Sequence, residues 1–146
     1  MSTEIDHALH ELMADINVLY EGINKNVLSS FGMRRVRYHA MRHLFLKPGL
    51  TLSQLRELTL VDRASLSRMV FSMEKDGLIQ RTLNKEDRRL FKLHLSQQGL
   101  RLYTEVQAAM DNDIQKRFQA LNEQAKSKLL EQNKILRDIL VKHKDA

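Results

Sequence analysis

The chain has 146 residues, enough for one domain, and 42% hydrophobic residues with a single proline predict an ordered, helix-rich protein. It contains no cysteine, which excludes disulfides and thiol catalysis, and no apolar run approaches the ~18 to 20 residues that a membrane span needs. The whole chain has a net charge of +6, but residues 31–95 alone have +8, with 14 Lys and Arg against six Asp and Glu. This basic middle favours a polyanionic partner, nucleic acid before an acidic membrane surface. The first residues lack an export signal, so we expect a cytoplasmic protein with no membrane partner.

Apolar residues recur every three or four positions from Thr3 to about Ser29, which predicts one long amphipathic helix. Its apolar face is larger than a small domain covers. A second helix is expected from about Arg34 to Lys47. The residues of this second helix predicted to turn inward are Tyr38, Met41, Leu44 and Phe45.

Two short helices follow, Gln54 to Leu60 and Arg63 to Asp76, with Ser53 and Asp62 as the respective caps. Two short strands come next, and their buried residues are predicted to be Leu83, Leu93 and Leu95. The strands are expected over Ile79 to Leu83 and Leu90 to Leu95, with a charged tip between them. Two short helices joined by a tight turn and followed by a charged hairpin make a winged helix-turn-helix.

Ser96 is expected to cap a long helix that ends near Ala120, and a last helix is expected over Gln124 to Lys142. Long apolar faces at both ends predict a homodimer that buries Ile5, Leu9, Leu12, Leu136, Ile139 and Leu140. The alternative is that these faces pack within one chain. The predicted fold is thus mainly α, with about six helices and a small β-hairpin wing. It forms a single domain over residues 1–146, in which 1–30 and 97–146 dimerise and 31–96 form the winged helix-turn-helix lobe.

The helix after Asp62 presents a polar surface near its first residue. Its outward residues are Arg63, Ala64, Ser65, Ser67 and Arg68. This end of a recognition helix contacts base edges in the major groove. The arginines suit guanine, and the serines suit phosphates or bases. The alternative is an exposed polar helix face without function.

The stretch from Leu50 to Gly99 resembles the core of the MarR family of bacterial transcription regulators (multiple antibiotic resistance regulators). The resemblance rests on "VDRASLSRMV", on "MEKDGLI" and on "EDRR" followed by "LHLSQQG". At the wing tip the family usually has Asp, any residue, Arg. The flanking helices match the family's layout over essentially the whole chain. Leu60 stands where the family often has Gly, and Thr59 where it often has Leu.

The resemblance implies that Arg89 enters the DNA minor groove and that Asp87 holds it. Arg88 and Lys85 are expected to contact phosphates. The implied function is a sequence-specific double-stranded DNA-binding regulator, a repressor that binds a pseudo-palindromic operator as a homodimer. The alternative is a winged-helix interaction module that binds nucleic acid or protein without sequence preference and without a small-molecule response.

In the resembled family, small and often aromatic or acidic effectors bind between the dimerisation helices and the DNA-binding lobe. The resemblance therefore implies an effector site here. Its expected residues are Met13, Tyr20, Met33, Arg34, Arg35, Arg37, Tyr38, Met41 and Met110. The alternative is that the methionines fill the core and the arginines are solvated.

The histidines form two close pairs, His39 with His43 and His7 with His10. Without cysteine, and with no histidine on the fifth helix, exposed structural histidines are favoured over a metal site. The chain has no Gly-rich phosphate loop, no nucleophile elbow and no paired carboxylates beside a histidine. We therefore expect neither an enzyme nor a cofactor.

Overall fold

The computed structural model describes residues 3–146, which contain six helices and one two-stranded antiparallel sheet. In chain order these are α1 (Thr3–Ser29), α2 (Arg35–Leu46), α3 (Leu52–Thr59), α4 (Arg63–Lys75), β1 (Ile79–Leu83), β2 (Phe91–Leu95), α5 (Gln97–Phe118) and α6 (Glu123–Lys144). The predicted mainly α fold with a hairpin wing is confirmed. The chain divides into two compact units, one ending at Met110 and the other comprising Asp111–Ala146. The prediction of a single domain stays a prediction.

The core of the first unit consists of apolar side chains from its helices and from both strands. The largest fully buried ones are Tyr103, Leu28, Met41, Leu44, Leu55, Leu66, Met73, Leu93, Val70 and Val106. The Tyr103 ring of α5 lies between two rings of α2, 6.0 Å from Tyr38 and 5.0 Å from Phe45 between centroids. Phe45 was predicted to be inward but is partly exposed, because it lies at the edge of this stack. Packing in this core stabilises α3 and α4, since isolated helices of their length are marginal in water.

Side-chain caps define where α3 and α4 begin. The Thr51 hydroxyl accepts from the Gln54 N–H, and the Gln54 side chain accepts from the Thr51 N–H at 2.9 Å. The predicted cap at Ser53 is wrong, because this reciprocal pair needs Gln or Glu three residues after the cap. Asp62 caps α4 as predicted, accepting from the Ser65 N–H at 2.9 Å.

The turn between α3 and α4 contains a strained residue. Leu60 ends α3 in the left-handed conformation, with φ 59° and ψ 23°, and its N–H donates to the Arg56 carbonyl at 3.0 Å. Within residues 3–146 it is the one residue other than glycine with positive φ. Leucine is strained there by about 1 to 2 kcal/mol, because its Cβ crowds the following carbonyl oxygen.

Replacing Leu60 by glycine is expected to raise the free energy of unfolding by about 0.5 to 1 kcal/mol, because glycine adopts positive φ without strain. Urea denaturation followed by circular dichroism measures the change. Leu58→Gly is the matched control, since Leu58 has similar exposure, 41% against 50%, but lies inside α3. Glycine there should destabilise the chain by about 1 kcal/mol. Equal destabilisation by both variants would show that Leu60 is not strained.

The base of the hairpin is fixed between the end of α4 and the start of α5. Gly77 has φ 77°, and the Leu78 N–H donates to the Met73 carbonyl at 2.9 Å, which closes α4. The Ser96 hydroxyl donates to the Gly77 carbonyl at 2.6 Å and accepts from the Gly99 N–H at 2.9 Å, so it caps α5 as predicted. A Cβ on Gly99 would lie 2.1 Å from the Leu78 carbonyl oxygen, so only glycine allows this approach.

The outer part of the hairpin lies beyond the core. The antiparallel register places Ile79 opposite Leu95 at the base and Leu83 opposite Phe91 near the tip. Ile79 and Leu93 are buried, and Leu95 is half-buried. The prediction that Leu83 is buried is wrong: this residue is 51% exposed, because the core covers only the base of the hairpin.

The predicted apolar stripe of α1 is largely exposed. Within this helix only Asn24 and Leu28 are buried, whereas Leu9, Leu12 and Ile16 face solvent. Exposed apolar surface of this extent marks an interaction site. That a second copy covers it stays a prediction.

The second unit contains the last turns of α5 and all of α6. Asn122 caps α6 by accepting from the Ala125 N–H at 2.8 Å, and Asp113 forms an ion pair with Arg117 in α5. All residues of α6 are described and none is buried. Its exposed apolar residues include Leu130, Ile135, Ile139 and Leu140. No helix within residues 3–146 is both long and apolar enough to cross a membrane.

Candidate nucleic-acid interface

The tip of the wing is a loop closed by its own polar groups. The Asn84 side-chain oxygen accepts from the Glu86 N–H at 2.9 Å, and the Leu90 N–H donates to the Asp87 carbonyl at 3.0 Å. One oxygen of the Asp87 carboxylate accepts from the backbone N–H and the Nε of Arg89, both at 3.1 Å. The other accepts from the Arg89 Nη2 at 3.2 Å. The side-chain pair expected from the sequence is therefore present.

Arg89 is held in place and yet solvated. Its side chain is 89% exposed, against 33% for that of Asp87. Hydrogen bonds from the Arg89 side chain and backbone lower the pKa of Asp87, so this carboxylate is charged at neutral pH. A guanidinium oriented in advance loses less freedom when it binds, and the negative potential of a narrow minor groove attracts it.

The first turns of α4 carry the residues predicted to contact bases. Ser65 is half-buried. The other four are exposed, namely Arg63, Ala64, Ser67 and Arg68. The Ser65 hydroxyl accepts from the Arg68 Nη2 at 3.3 Å. Hydrogen bonds from Ser65 lower the pKa of Asp62, which keeps the cap of α4 charged. The opposite face of α4 is buried, so this polar surface has a fixed orientation.

A cleft of about 310 Å³ joins the wing to α3 and to the start of α4. Four arginines line it, namely Arg56, Arg63, Arg81 and Arg89. Sequence reasoning missed Arg56 and Arg81. The Arg81 Nε of β1 lies 2.6 Å from a carboxylate oxygen of Glu74 in α4, and its guanidinium lies 5.7 Å from the Phe91 ring centroid. Arg81 thus links the wing to α4. The sequence signal that could have identified Arg81 was a basic residue within the strand that precedes the wing tip.

The charge of this lobe at neutral pH comes from arginine and lysine and not from His39. Burial, together with the positive charges of Arg35 and Arg42 and the neighbouring His43, lowers the pKa of His39 to about 4. The prediction of exposed histidines is wrong for His39 and His43, which are half-buried because one side of α2 is packed against the core. Among the described residues, no cluster of three or more His, Cys, Asp or Glu is arranged to hold a metal ion.

Comparisons with known proteins agree with this geometry. Residues 33–91 match the sequence model of the MarR family. The HTH-type transcriptional regulator PetP of Rhodobacter capsulatus is 27% identical over 99 residues, which cover 68% of this chain and 60% of PetP. A mutant of E. coli MarR in complex with operator DNA has a TM-score of 0.80 at 19% identity, covering 96% of this chain and 98% of that chain. Residues 33–91 are thus similar to the MarR family, and the chain shares the fold of E. coli MarR.

A second structural neighbour is BpsR of Bordetella bronchiseptica, whose DNA binding is regulated by 6-hydroxynicotinic acid. It has a TM-score of 0.80 at 16% identity, covering 88% of this chain and 92% of that chain. These two neighbours establish the shared MarR fold. The chain spans only 60% of the length of its relative PetP.

The residues assigned to an effector site by the MarR resemblance lie partly in an open cleft and partly in the core. Arg34 and Arg37 line a cleft of about 640 Å³, together with Ser65, Arg68 and Met69 of α4. Arg37 is already engaged, donating to Asp76 at 3.2 Å. Arg34 is exposed.

The other residues of that set are spread over α1, α2 and α5. Tyr38, Met41 and Met110 are buried, because they lie on the faces of α2 and α5 that form the core. Met33 is also buried, whereas Met13 and Tyr20 lie on α1, half-buried and exposed respectively. Arg35 forms an ion pair with Glu21 at 3.6 Å. Their part in effector binding stays a prediction.

Proposed function

We propose that this chain is a transcriptional regulator that binds a pseudo-palindromic DNA operator as a homodimer and represses transcription there. The main observation behind this proposal is that one basic lobe presents two features. These are an exposed Arg89 oriented by Asp87, and the polar first turns of α4. The first suits a minor groove and the second a major groove. The match of residues 33–91 to the MarR family model and the fold shared with E. coli MarR, which was solved with operator DNA, support the assignment.

The exposed apolar residues of α1 and α6 support the homodimer. Pairing two copies through such surfaces would bury them and would relate the two α4 helices by a two-fold axis. A symmetric dimer then contacts two half-sites about 34 Å apart, one turn of DNA, so the operator is a pseudo-palindrome. A dimer bound there excludes polymerase from the duplex, which is the physical basis of repression.

Selecting bound duplexes from a random DNA pool tests this proposal. The expected product is an inverted repeat whose half-sites are centred about 10 base pairs apart. A chain made monomeric by Leu9→Asp with Leu12→Asp is the control and should enrich no inverted repeat. A pool without any enriched motif would contradict the proposal and favour a module that binds by charge alone.

The proposal includes release from the operator by a small aromatic acid, because such an acid, 6-hydroxynicotinic acid, regulates DNA binding of the structural neighbour BpsR. The cleft beside α4 supports it, because Arg34 lines this cleft together with Arg68 and Ser65 of α4, and a carboxylate held by Arg34 would occupy the same cleft as these two residues. Tyr38, Met41 and Met110 would line the site only if the core opened.

Salicylate or 6-hydroxynicotinic acid is therefore expected to weaken operator binding about 5- to 150-fold, the usual range of coupling between two sites. Arg34→Ala combined with Arg35→Ala should abolish this response and leave DNA affinity nearly unchanged. Arg101→Ala, an exposed arginine on α5, is the control and should keep the response. Titration calorimetry that detects no binding across a panel of such acids would remove the effector from the proposal.

A further inference from the structure

One outward stripe of α4 contains a large apolar residue among basic ones. Ala64, Arg68, Phe71 and Lys75 are spaced by four, three and four residues, which places them on the same face of the helix. All four are exposed, and Phe71 is 66% exposed. The opposite face, with Leu66, Val70 and Met73, forms the core. The Phe71 side chain therefore does not pack in the core, and it lies on the surface predicted to face DNA.

The surroundings of Phe71 are cationic. Arg68 and Lys75 lie about one helical turn before and after it. The two acidic residues at the end of α4 are engaged elsewhere, Glu74 by Arg81 and Asp76 by Arg37. An apolar ring between two positive charges suits a polyanion that also carries apolar groups. A protein surface of ordinary composition does not have the dense negative charge of such a polyanion.

Duplex DNA offers such groups in its major groove. The C5-methyl of thymine is the apolar feature that aromatic and aliphatic side chains contact there. Phe71 lies seven residues beyond Ala64, about 10 Å along the helix, which corresponds to roughly three base-pair steps. A helix lying in the groove would thus place Phe71 inside the same half-site as the polar first turns of α4.

We propose that Phe71 contacts the C5-methyl group of a thymine in each operator half-site and so determines part of the sequence specificity. The inference rests on the proposed function, since it requires that α4 lies in the major groove. It adds an apolar contact to a set of residues that sequence reasoning limited to Arg63, Ala64, Ser65, Ser67 and Arg68.

The test uses the full chain and the duplex obtained by selection, with thymines replaced one position at a time, in both half-sites, by deoxyuridine. Deoxyuridine keeps all hydrogen bonds and lacks only the methyl group. At one position the wild-type chain is expected to lose about fourfold in affinity per methyl group, or about 16-fold for two half-sites. At the other thymines the replacement should have little effect.

Phe71→Ala should bind the thymine duplex about as weakly as the wild-type chain binds the deoxyuridine duplex, and should not distinguish the two. Phe71→Leu should keep part of the discrimination, because leucine retains an apolar contact. Leu58→Ala is the matched control from an exposed apolar residue outside α4 and should discriminate like the wild-type chain. Thermal unfolding should be unchanged in Phe71→Ala, since the ring lies outside the core.

Two results would overturn the inference while leaving the proposed function intact. One is full discrimination between thymine and deoxyuridine in Phe71→Ala, and the other is a wild-type chain that tolerates deoxyuridine at every position. If no duplex is enriched in the first place, the proposed function fails and the Phe71 contact fails with it.

Discussion

A chain carrying Leu9→Asp and Leu12→Asp is expected to be a folded monomer that has lost tight operator binding. Both residues are exposed on α1 and far from its two buried residues, so the substitutions should leave the fold of one chain intact. Burying a leucine contributes about 1.5 to 3 kcal/mol, and four are lost per dimer. Dimerisation should weaken by about 6 kcal/mol or more, over ten-thousandfold. Sedimentation measures the assembly state, and duplex titration measures the loss of affinity.

The control for charge and for the helix itself is His7→Asp with Ala14→Asp. These residues are also exposed on α1 but lie on the face opposite the apolar stripe. This variant should remain a dimer with normal affinity. A wild-type chain that sediments as a stable native monomer at micromolar concentration would rule out the dimer and the two-half-site operator together.

Arg89→Ala is expected to lower operator affinity by about 1 to 3 kcal/mol for each wing, or about 5- to 150-fold. The physical reason is that the guanidinium, oriented by the Asp87 carboxylate and exposed at the tip, is the group placed to enter a narrow minor groove. The loss should shrink on duplexes whose flanks are changed from A·T to G·C pairs, because such flanks lack the narrow groove. Titration of labelled duplexes provides the affinities.

Two neighbouring substitutions separate positioning from charge. Asp87→Ala should cause part of the Arg89→Ala loss, because Arg89 stays but is no longer held. Lys85→Ala should weaken all duplexes alike and reduce the salt dependence by about one unit. Operator affinity that is unchanged in Arg89→Ala would exclude the wing from DNA binding.

Local interactions of the fold were predictable from the sequence. Asp62 and Ser96 cap their helices by accepting from an N–H three residues later, which needs no distant contact. Thr51 was missed because two candidate caps stand two residues apart, and the side chain of Gln54 decides between them. The exposure of Leu83 could not be predicted, since it depends on how far the hairpin extends beyond the core.

In the candidate site, too, local interactions could be predicted from the sequence, whereas contacts between distant elements could not. Asp87 and Arg89 are two residues apart, so their hydrogen bonds follow from local spacing. Arg81 joins the site only because β1 packs beside α4, where Glu74 meets it. Periodicity predicted that Tyr38 turns inward, but it did not show that Tyr38 packs against Tyr103 of α5 in a closed core and not in an open effector site.

The most direct test of DNA recognition is the ratio of affinities for the selected operator and for a scrambled duplex of the same length and composition. It should be measured by competition at about 150 mM salt, where charge alone gives only weak binding. Base-edge contacts from α4 predict a ratio of about 1,000 or more. A ratio near one, with the same salt dependence for both duplexes, would contradict the account.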